Sequence, residues 1–316
     1  MKKLLLCASV LAPLALLALG LVFSDRLSHS APDGGEIVLQ KESPYQTVFV
    51  TRKGSVLTLH GGSLAMNSSR YDTAAPTRHV LEYTAVMCLA LGYVAEPRNI
   101  LVIGLGGATL TKSLTLALPE ARIVSVEFDP VVVDVARGSF DFAPEERTPV
   151  VIQDARRYLS DTDERFDLVF LDAYHGDYIP FHLMTREFLS LVKSRLAPGG
   201  AVCANTWSRS ALYYRESATY GAVFGRFDHY FGERSTNRII IACGDGPPPD
   251  RATLAARMQA AKDRYDLPDV DLPGMFERLR EEDPSWKPDT PLLLDDYAPV
   301  NELGGAERRA GGGEKP

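Results

Sequence analysis

From residue 97 onward, runs of consecutive apolar residues alternate with stretches whose apolar positions recur every three or four residues. The continuous runs are NILVIG (99–104), ARIVSVEFD (121–129), TPVVIQD (148–154), FDLVFLDAY (166–174) and AVCANTW (201–207). Between them lie ATLTKSLTLAL (108–118), PVVVDVARGSF (130–140), ARRYLSD (155–161) and TREFLSLVKSRL (185–196), all with helical periodicity. Strands apolar on both faces, alternating with helices, predict a doubly wound α/β fold around a parallel sheet. FDHYFG (227–232) and RIIIACG (238–244) predict a closing antiparallel pair.

Upstream, the rhythm changes. EIVLQKESPYQ, TVFVTRKG and SVLTLHGG (36–62) alternate Thr, Val and Phe with polar residues between glycines, which predicts hairpins. They mark a small β unit over 37–75, ahead of a main α/β domain over 76–303. PTRHVLEYTAVMCLALGYV (76–94) predicts a helix with Pro76 in its first turn. Residues 24–36 form a polar linker, and 304–316 (GGAERRAGGGEKP) a disordered tail.

The chain begins Lys2-Lys3 and then runs LLLCASVLAPLALLALGLVF (4–23) without a charge. That approaches the ~20 apolar residues a membrane span needs, so 1–23 is an anchor or signal segment. No small-x-small cleavage site follows, which favours an uncleaved anchor. Lys2 and Lys3 prefer the cytoplasmic side, which would send the remaining chain outward.

Composition narrows the partners. The 316 residues carry a net charge of -7, and an acidic chain is a poor match for a nucleic-acid backbone. The four cysteines form neither a CxxC pair nor a Cys/His cluster, so no zinc site and no metal is expected. Buried, reduced thiols are the expectation.

Candidate chemistry clusters at the strand ends. Gly104-Leu105-Gly106-Gly107 follows the first apolar run, where a glycine turn lets backbone approach a nucleotide closely. A dinucleotide fold asks for a third glycine at 109, and Thr109 stands there. Glu127, about 20 residues on, is placed to accept from two ribose hydroxyls. Asp154 ends the third run and is placed either to accept from an adenine amino group or to cap the following helix. Asp172 ends the fourth. The first three, at consecutive strand ends, together point to one crevice.

With SPYQ (43–46), VIGLGG, VEFDP, QDAR, IPFHLMTREFL, LAPGG and LLLDDYAPV in this order, residues 37–300 resemble the spermidine synthase, or polyamine aminopropyltransferase, family. The resemblance is to its divergent bacterial, membrane-associated branch. It implies an S-adenosylmethionine-dependent-methyltransferase-like Rossmann domain and an aminopropyl transfer from decarboxylated S-adenosylmethionine to an amine, without a metal. It also implies Asp172 as the catalytic aspartate, and Gln46, Gly104, Gly106, Glu127 and Asp154 as nucleoside contacts. His79, Tyr174 and Asp177 become candidates for the acceptor side. A homodimer is an option the family carries. An S-adenosyl donor implies a cytoplasmic catalytic domain, in conflict with the lysine flank.

Two departures stand out. The family's glycine loop carries an acid (GGGDG) where this chain has Gly107. Its D-S-x-D motif reads Asp172-Ala173-Tyr174-His175 here. The acceptor therefore stays open, and two other readings stay beside transfer to an amine. One is a methyltransferase using S-adenosylmethionine; the other is a membrane-tethered nucleoside-binding module without turnover. Asp295-Asp296-Tyr297, His175, Tyr178 and His182 are weaker candidates around the pocket.

Overall fold

The computed structural model describes residues 31–174, 179–283 and 287–296. Strands β1 (Glu36–Glu42), β2 (Thr47–Lys53), β3 (Val56–Gly61) and β4 (Ser69–Asp72) form an antiparallel sheet in that order. The alternation in TVFVTRK and VLTLHG turns Val48, Val50, Leu57 and Leu59 to one face. Together with Tyr71 they pack on Val132, Val135 and Phe140, at the helix Pro130–Ser139 and its end. This contact holds the small sheet over the edge of the larger one.

The larger sheet contains β5 (Asn99–Ile103), β6 (Arg122–Glu127), β7 (Val150–Ile152), β8 (Phe166–Leu171) and β9 (Leu196–Trp207). It is completed by β10 (Phe227–Phe231), β11 (Asn237–Cys243) and β12 (Arg280–Glu282). Its order is β12-β10-β11-β9-β8-β5-β6-β7. Strands β7, β6, β5, β8 and β9 run parallel, and β11 pairs antiparallel with both β9 and β10. Ile100, Val102, Leu168, Phe170 and Cys203 feed the core on one face. Leu101, Ile103, Val169, Leu171 and Val202 feed the core on the other. Burial on both faces is why these runs are continuously apolar.

The strand order reverses between β5 and β8, the place where doubly wound sheets open a crevice at their carboxyl ends. A likeness in fold to methyltransferase-type α/β domains follows from this order and from the antiparallel closing pair.

The sequence pattern overstated one element. The helix expected over 76–94 is reduced to Glu82–Met87 and a 3-10 turn at Cys88–Gly92. Leu81 is the N-cap, and the stretch before it is drawn into turns, with Asp72 accepting from the backbone N–H of Ala74. The helices Arg251–Arg264 and Leu272–Phe276 and strand β12 were not foreseen. Cys88, Cys203 and Cys243 are free and buried, as expected. Burial pushes the Cys88 thiol up to about 12 and that of Cys243 to about 11, leaving both poor nucleophiles. The apolar segment 1–23, the tail 304–316, and His175, Asp177, Tyr178 and Tyr297 lie outside the described residues. Among the described residues no helix is long and apolar enough to cross a membrane.

Candidate active site

At the switch point lies a cleft of about 980 Å³, roofed by the small sheet. Gly104, Gly106, Glu127, Asp154, Asp172, Tyr174 and Gln46 all line it. The sheet order places the ends of β8, β5, β6 and β7 side by side, so Asp172, Gly104, Glu127 and Asp154 form one row.

The glycine turn is shaped by close approach. Gly104 has φ +90°, and a Cβ there would lie 2.2 Å from the carbonyl oxygen of Asp172. The turn therefore fits directly beneath the end of β8. Gly107 has a different reason for lacking a side chain. A Cβ at that position would meet Phe140 Cδ1 at 2.7 Å and Ser69 Oγ at 2.8 Å. The space where the family's loop acid would start is filled by packing of the small sheet.

Glu127 is almost wholly enclosed. Its carboxylate accepts from the backbone N–H of Leu105 (3.0 Å) and of Asp129 (3.1 Å). Loss of water raises its pKa, and these hydrogen bonds only partly offset that. Each carboxylate oxygen keeps a lone pair, so two ribose hydroxyls remain acceptable donors. Gln46 complements it across the cleft. Its Nε2 donates to Asp129 Oδ2 (3.3 Å), while its buried Oε1 has no partner. Ser43 Oγ fixes this corner, donating to Asp129 Oδ2 (2.8 Å) and accepting from the N–H of Gln46 (3.0 Å). A buried, unpartnered acceptor in the lining of the cleft suits a ligand bearing hydroxyl donors.

Asp154 does cap a helix, accepting from the N–H of Arg157 (2.9 Å). Its other oxygen meets His182 Nε2 at 2.9 Å. Partial burial pulls its pKa up, but the hydrogen bonds from Arg157 and His182 outweigh that and lower it. His182 is thus the partner of Asp154. Asp295 is held too: its carboxylate takes a fork of two hydrogen bonds from Arg156, which ties the 291–296 segment beside this end of the cleft.

Asp172 is the most perturbed acid in the cleft. Tyr83 donates its hydroxyl to Oδ2 (3.2 Å), and Asn205 Nδ2 donates to Oδ1 (2.8 Å). Asn205 is itself oriented, because Asn237 Nδ2 donates to its Oδ1 (2.8 Å). Enclosure away from water pushes the Asp172 pKa up to about 7, with the Glu127 charge adding to the effect. The Tyr174 hydroxyl donates to the backbone oxygen of Asn205 (2.9 Å), and its ring stands edge-on to Trp207 at 5.8 Å.

Sequence reasoning missed Tyr83, Asn205 and Asn237. One signal was present. Leu171 pairs with Ala204 in the parallel register, so the next residue of β9, polar Asn205, falls beside Asp172. Tyr83 and Asn237 come from distant segments and carry no local mark.

His79 stands apart from the cleft lining, in irregular backbone and not on a helix surface. Thr84 Oγ1 donates to the Leu81 carbonyl (2.8 Å), so His79 Nδ1–H donates to Thr84 (2.8 Å) and Nε2 accepts from Ser113 (2.9 Å). A neutral ring satisfies all three, and burial lowers its pKa to about 4. Its folded pKa lies below the unfolded 6.5, so its contribution is complete above about 6.5 and lost as pH falls towards 4. His79→Ala should cost about 2 kcal/mol in denaturant unfolding and flatten stability over that window, with donor and acceptor KM unchanged. A KM raised tenfold would place His79 in the site after all.

A family model described as the spermine/spermidine synthase domain matches residues 81–226. A polyamine aminopropyltransferase of Vibrio vulnificus (strain CMCP6) is 34% identical over 242 residues, covering 75% of this chain and 80% of that protein. One of Neisseria meningitidis serogroup A is 27% identical over 248 residues, covering 77% and 93%. Among solved structures, a probable spermidine synthase from Corynebacterium glutamicum shares the fold with a TM-score of 0.64 at 19% identity, covering 83% of this chain and 98% of that one. The chain belongs to the spermine/spermidine synthase family, whose members include the polyamine aminopropyltransferases.

Proposed function

We propose that this chain transfers the aminopropyl group of decarboxylated S-adenosylmethionine to an amine. In this reading Glu127 and Gln46 hold the ribose, Asp154 the adenine side, the Gly104–Gly107 turn the sulfur end, and Asp172 the incoming amine. The observation that carries it is the placement of Asp172, a carboxyl with a raised pKa, in the same cleft as Glu127 and with only strand β5 between their two strands.

The chemistry is a displacement. The amine nitrogen forms a bond to the carbon beside the sulfonium, the carbon–sulfur bond breaks, and methylthioadenosine leaves with the electron pair. A free alkylamine has a pKa of about 10.4 and arrives protonated. Asp172 takes that proton. Raising the acid from 3.8 to about 7 lowers the cost of the transfer by about 4 kcal/mol. The sulfonium sits between Asp172 and Glu127, so its positive charge offsets theirs. The non-catalytic reading needs neither this base nor its support by Asn205 and Tyr83.

Mass analysis of an amine panel incubated with the donor tests the reading. An acceptor gaining one aminopropyl group is expected; a methylated product, or none, would refute it. The pH profile follows from the acid. Asp172 must be ionised, so kcat/KM should rise with pH through about 7 and then level off. In kcat the limb should lie lower, because the bound sulfonium favours the carboxylate. A profile flat from pH 5 to pH 8 contradicts the assignment.

For the apolar run at 4–23 the reading includes attachment to a membrane, with the cleft on the side where the donor is made.

A further inference from the structure

Two neighbouring residues at the start of the helix Glu82–Met87 tie down different parts of the cleft wall. Tyr83 donates to Asp172 Oδ2 (3.2 Å). The Glu82 carboxylate reaches the turn joining β10 to β11, accepting from the backbone N–H of Glu233 (3.0 Å) and of Arg234 (2.9 Å). This turn is one wall of the cleft, because Arg234, Ser235, Thr236 and Asn237 line it. It closes on Asn237, whose carbonyl accepts from the N–H of Gly232 (2.9 Å) and whose N–H donates to Ser235 Oγ (3.3 Å).

Asn237 is where the turn meets the chemistry. Its Nδ2 donates to Asn205 Oδ1 (2.8 Å), which leaves Asn205 Nδ2 facing Asp172 Oδ1 (2.8 Å). Both carboxylate oxygens of Asp172 thus trace back to one helix end, Oδ2 through Tyr83 and Oδ1 through Asn205, Asn237 and the turn. On the other flank Ser208 donates from its N–H (2.8 Å) and Oγ (2.9 Å) to the Thr236 carbonyl. Glu233 also pairs with Arg278, but that pair is exposed and contributes little. Two charge-assisted bonds to backbone contribute more.

The hold matters because an amide has two ends. With its oxygen fixed by Asn237, Asn205 offers Asp172 a donor, which suits a carboxylate. Once released, the amide turns freely, and its oxygen suits only the protonated acid.

We infer that Glu82 is a positioning residue for the reaction: by holding the β10–β11 turn it keeps Asn237 on Asn205, and so keeps the Asn205 amide donating to Asp172. This rests on the aminopropyl-transfer reading and adds to it a residue that acts only through others.

The test is kcat/KM against pH for the full chain, Glu82→Ala, Asn237→Ala and the double variant, with decarboxylated S-adenosylmethionine. The amines are 1,3-diaminopropane, 1,4-diaminobutane and spermidine. In Glu82→Ala the rising limb should move up by about one pH unit, the size of one hydrogen bond to the charged form. Activity should fall about fivefold at pH 7 and recover near pH 9, with methylthioadenosine affinity unchanged. Tyr83, Tyr174, Cys203 and Glu127 lie around Asp172, and Tyr230, Glu233, Arg234 and Arg278 around Glu82; all stay in place in these variants. Loss of the Glu82 charge alone would move the limb down, the opposite sign. Asn237→Ala should shift the limb equally, and the double variant no further than either single. Glu82→Gln, of the same size but with one acceptor oxygen, should shift it in the same direction by less. A limb unmoved in Glu82→Ala and Glu82→Gln, or shifts that add in the double variant, overturns this inference alone. No product from any of the three amines in the unaltered protein, with methylthioadenosine still bound, overturns the transfer reading and this inference with it.

Discussion

Asp172→Asn should lower kcat by about a thousandfold while leaving methylthioadenosine affinity within a few fold. General-base catalysis commonly contributes 10²–10⁴-fold, about 3–5 kcal/mol, and the amide cannot take a proton from an ammonium. The substitution leaves the surroundings satisfied. Asn205 can still donate to the side-chain oxygen, and the Tyr83 hydroxyl can turn to accept from the new amide. The same variant should also be more stable at pH 8. A folded pKa of about 7 means that the native state binds more protons than the unfolded chain between about 4 and 7, so ionisation of Asp172 costs stability as pH rises. The amide removes that cost. At pH 8 the variant should gain a few kcal/mol in denaturant unfolding, and at pH 4 almost none. Lower activity with unchanged stability at pH 8 would mean the carboxyl is not desolvated as described.

Gly104→Ala is expected to be the most damaging glycine-to-alanine change among the described residues. The new Cβ would lie 2.2 Å from the Asp172 carbonyl oxygen and 2.7 Å from its carbonyl carbon. Both are backbone atoms, so no side-chain rotation relieves the contact; β8 must move relative to β5. The φ of +90° adds strain for any L side chain. Destabilisation should exceed about 4 kcal/mol, a range reached only by a few named mechanisms such as forced overpacking. Gly54→Ala is the matched control. Its φ is +62°, but nothing lies within 4 Å of the added atom, so it should cost about 1–2 kcal/mol and leave turnover intact. Equal losses in the two variants, measured by denaturant midpoints, would show that conformation and not close approach keeps Gly104.

What the chain discloses in its sequence depends on how local each decision is. The parallel strands were legible because burial on both faces writes a continuous apolar run, as in FDLVFL and NILVI. The row Gly104, Glu127, Asp154 and Asp172 was legible because each residue follows its own strand. The 76–94 stretch misled because Val80 to Val94 is apolar in nearly every register. Tertiary contacts, chiefly His79 with Thr84 and Ser113, decide where its helix begins. The helix Arg251–Arg264 buries only Leu254, Met258 and Ala261, too narrow a stripe to stand out in a polar segment. Both partners of the Asp172 carboxylate come from other elements, one from a helix and one from a neighbouring strand. Position in the chain could not join them; the register of β8 and β9 brings in Asn205 alone.

The central claim is that a sulfur-linked adenosine and an amine meet between Glu127 and Asp172. A crystal structure with methylthioadenosine and the best acceptor tests it most directly. The account predicts ribose hydroxyls on the Glu127 carboxylate and the amine nitrogen within about 3.2 Å of Asp172. An adenosine whose ribose turns away from Glu127, or an amine held out of reach of Asp172, would contradict it.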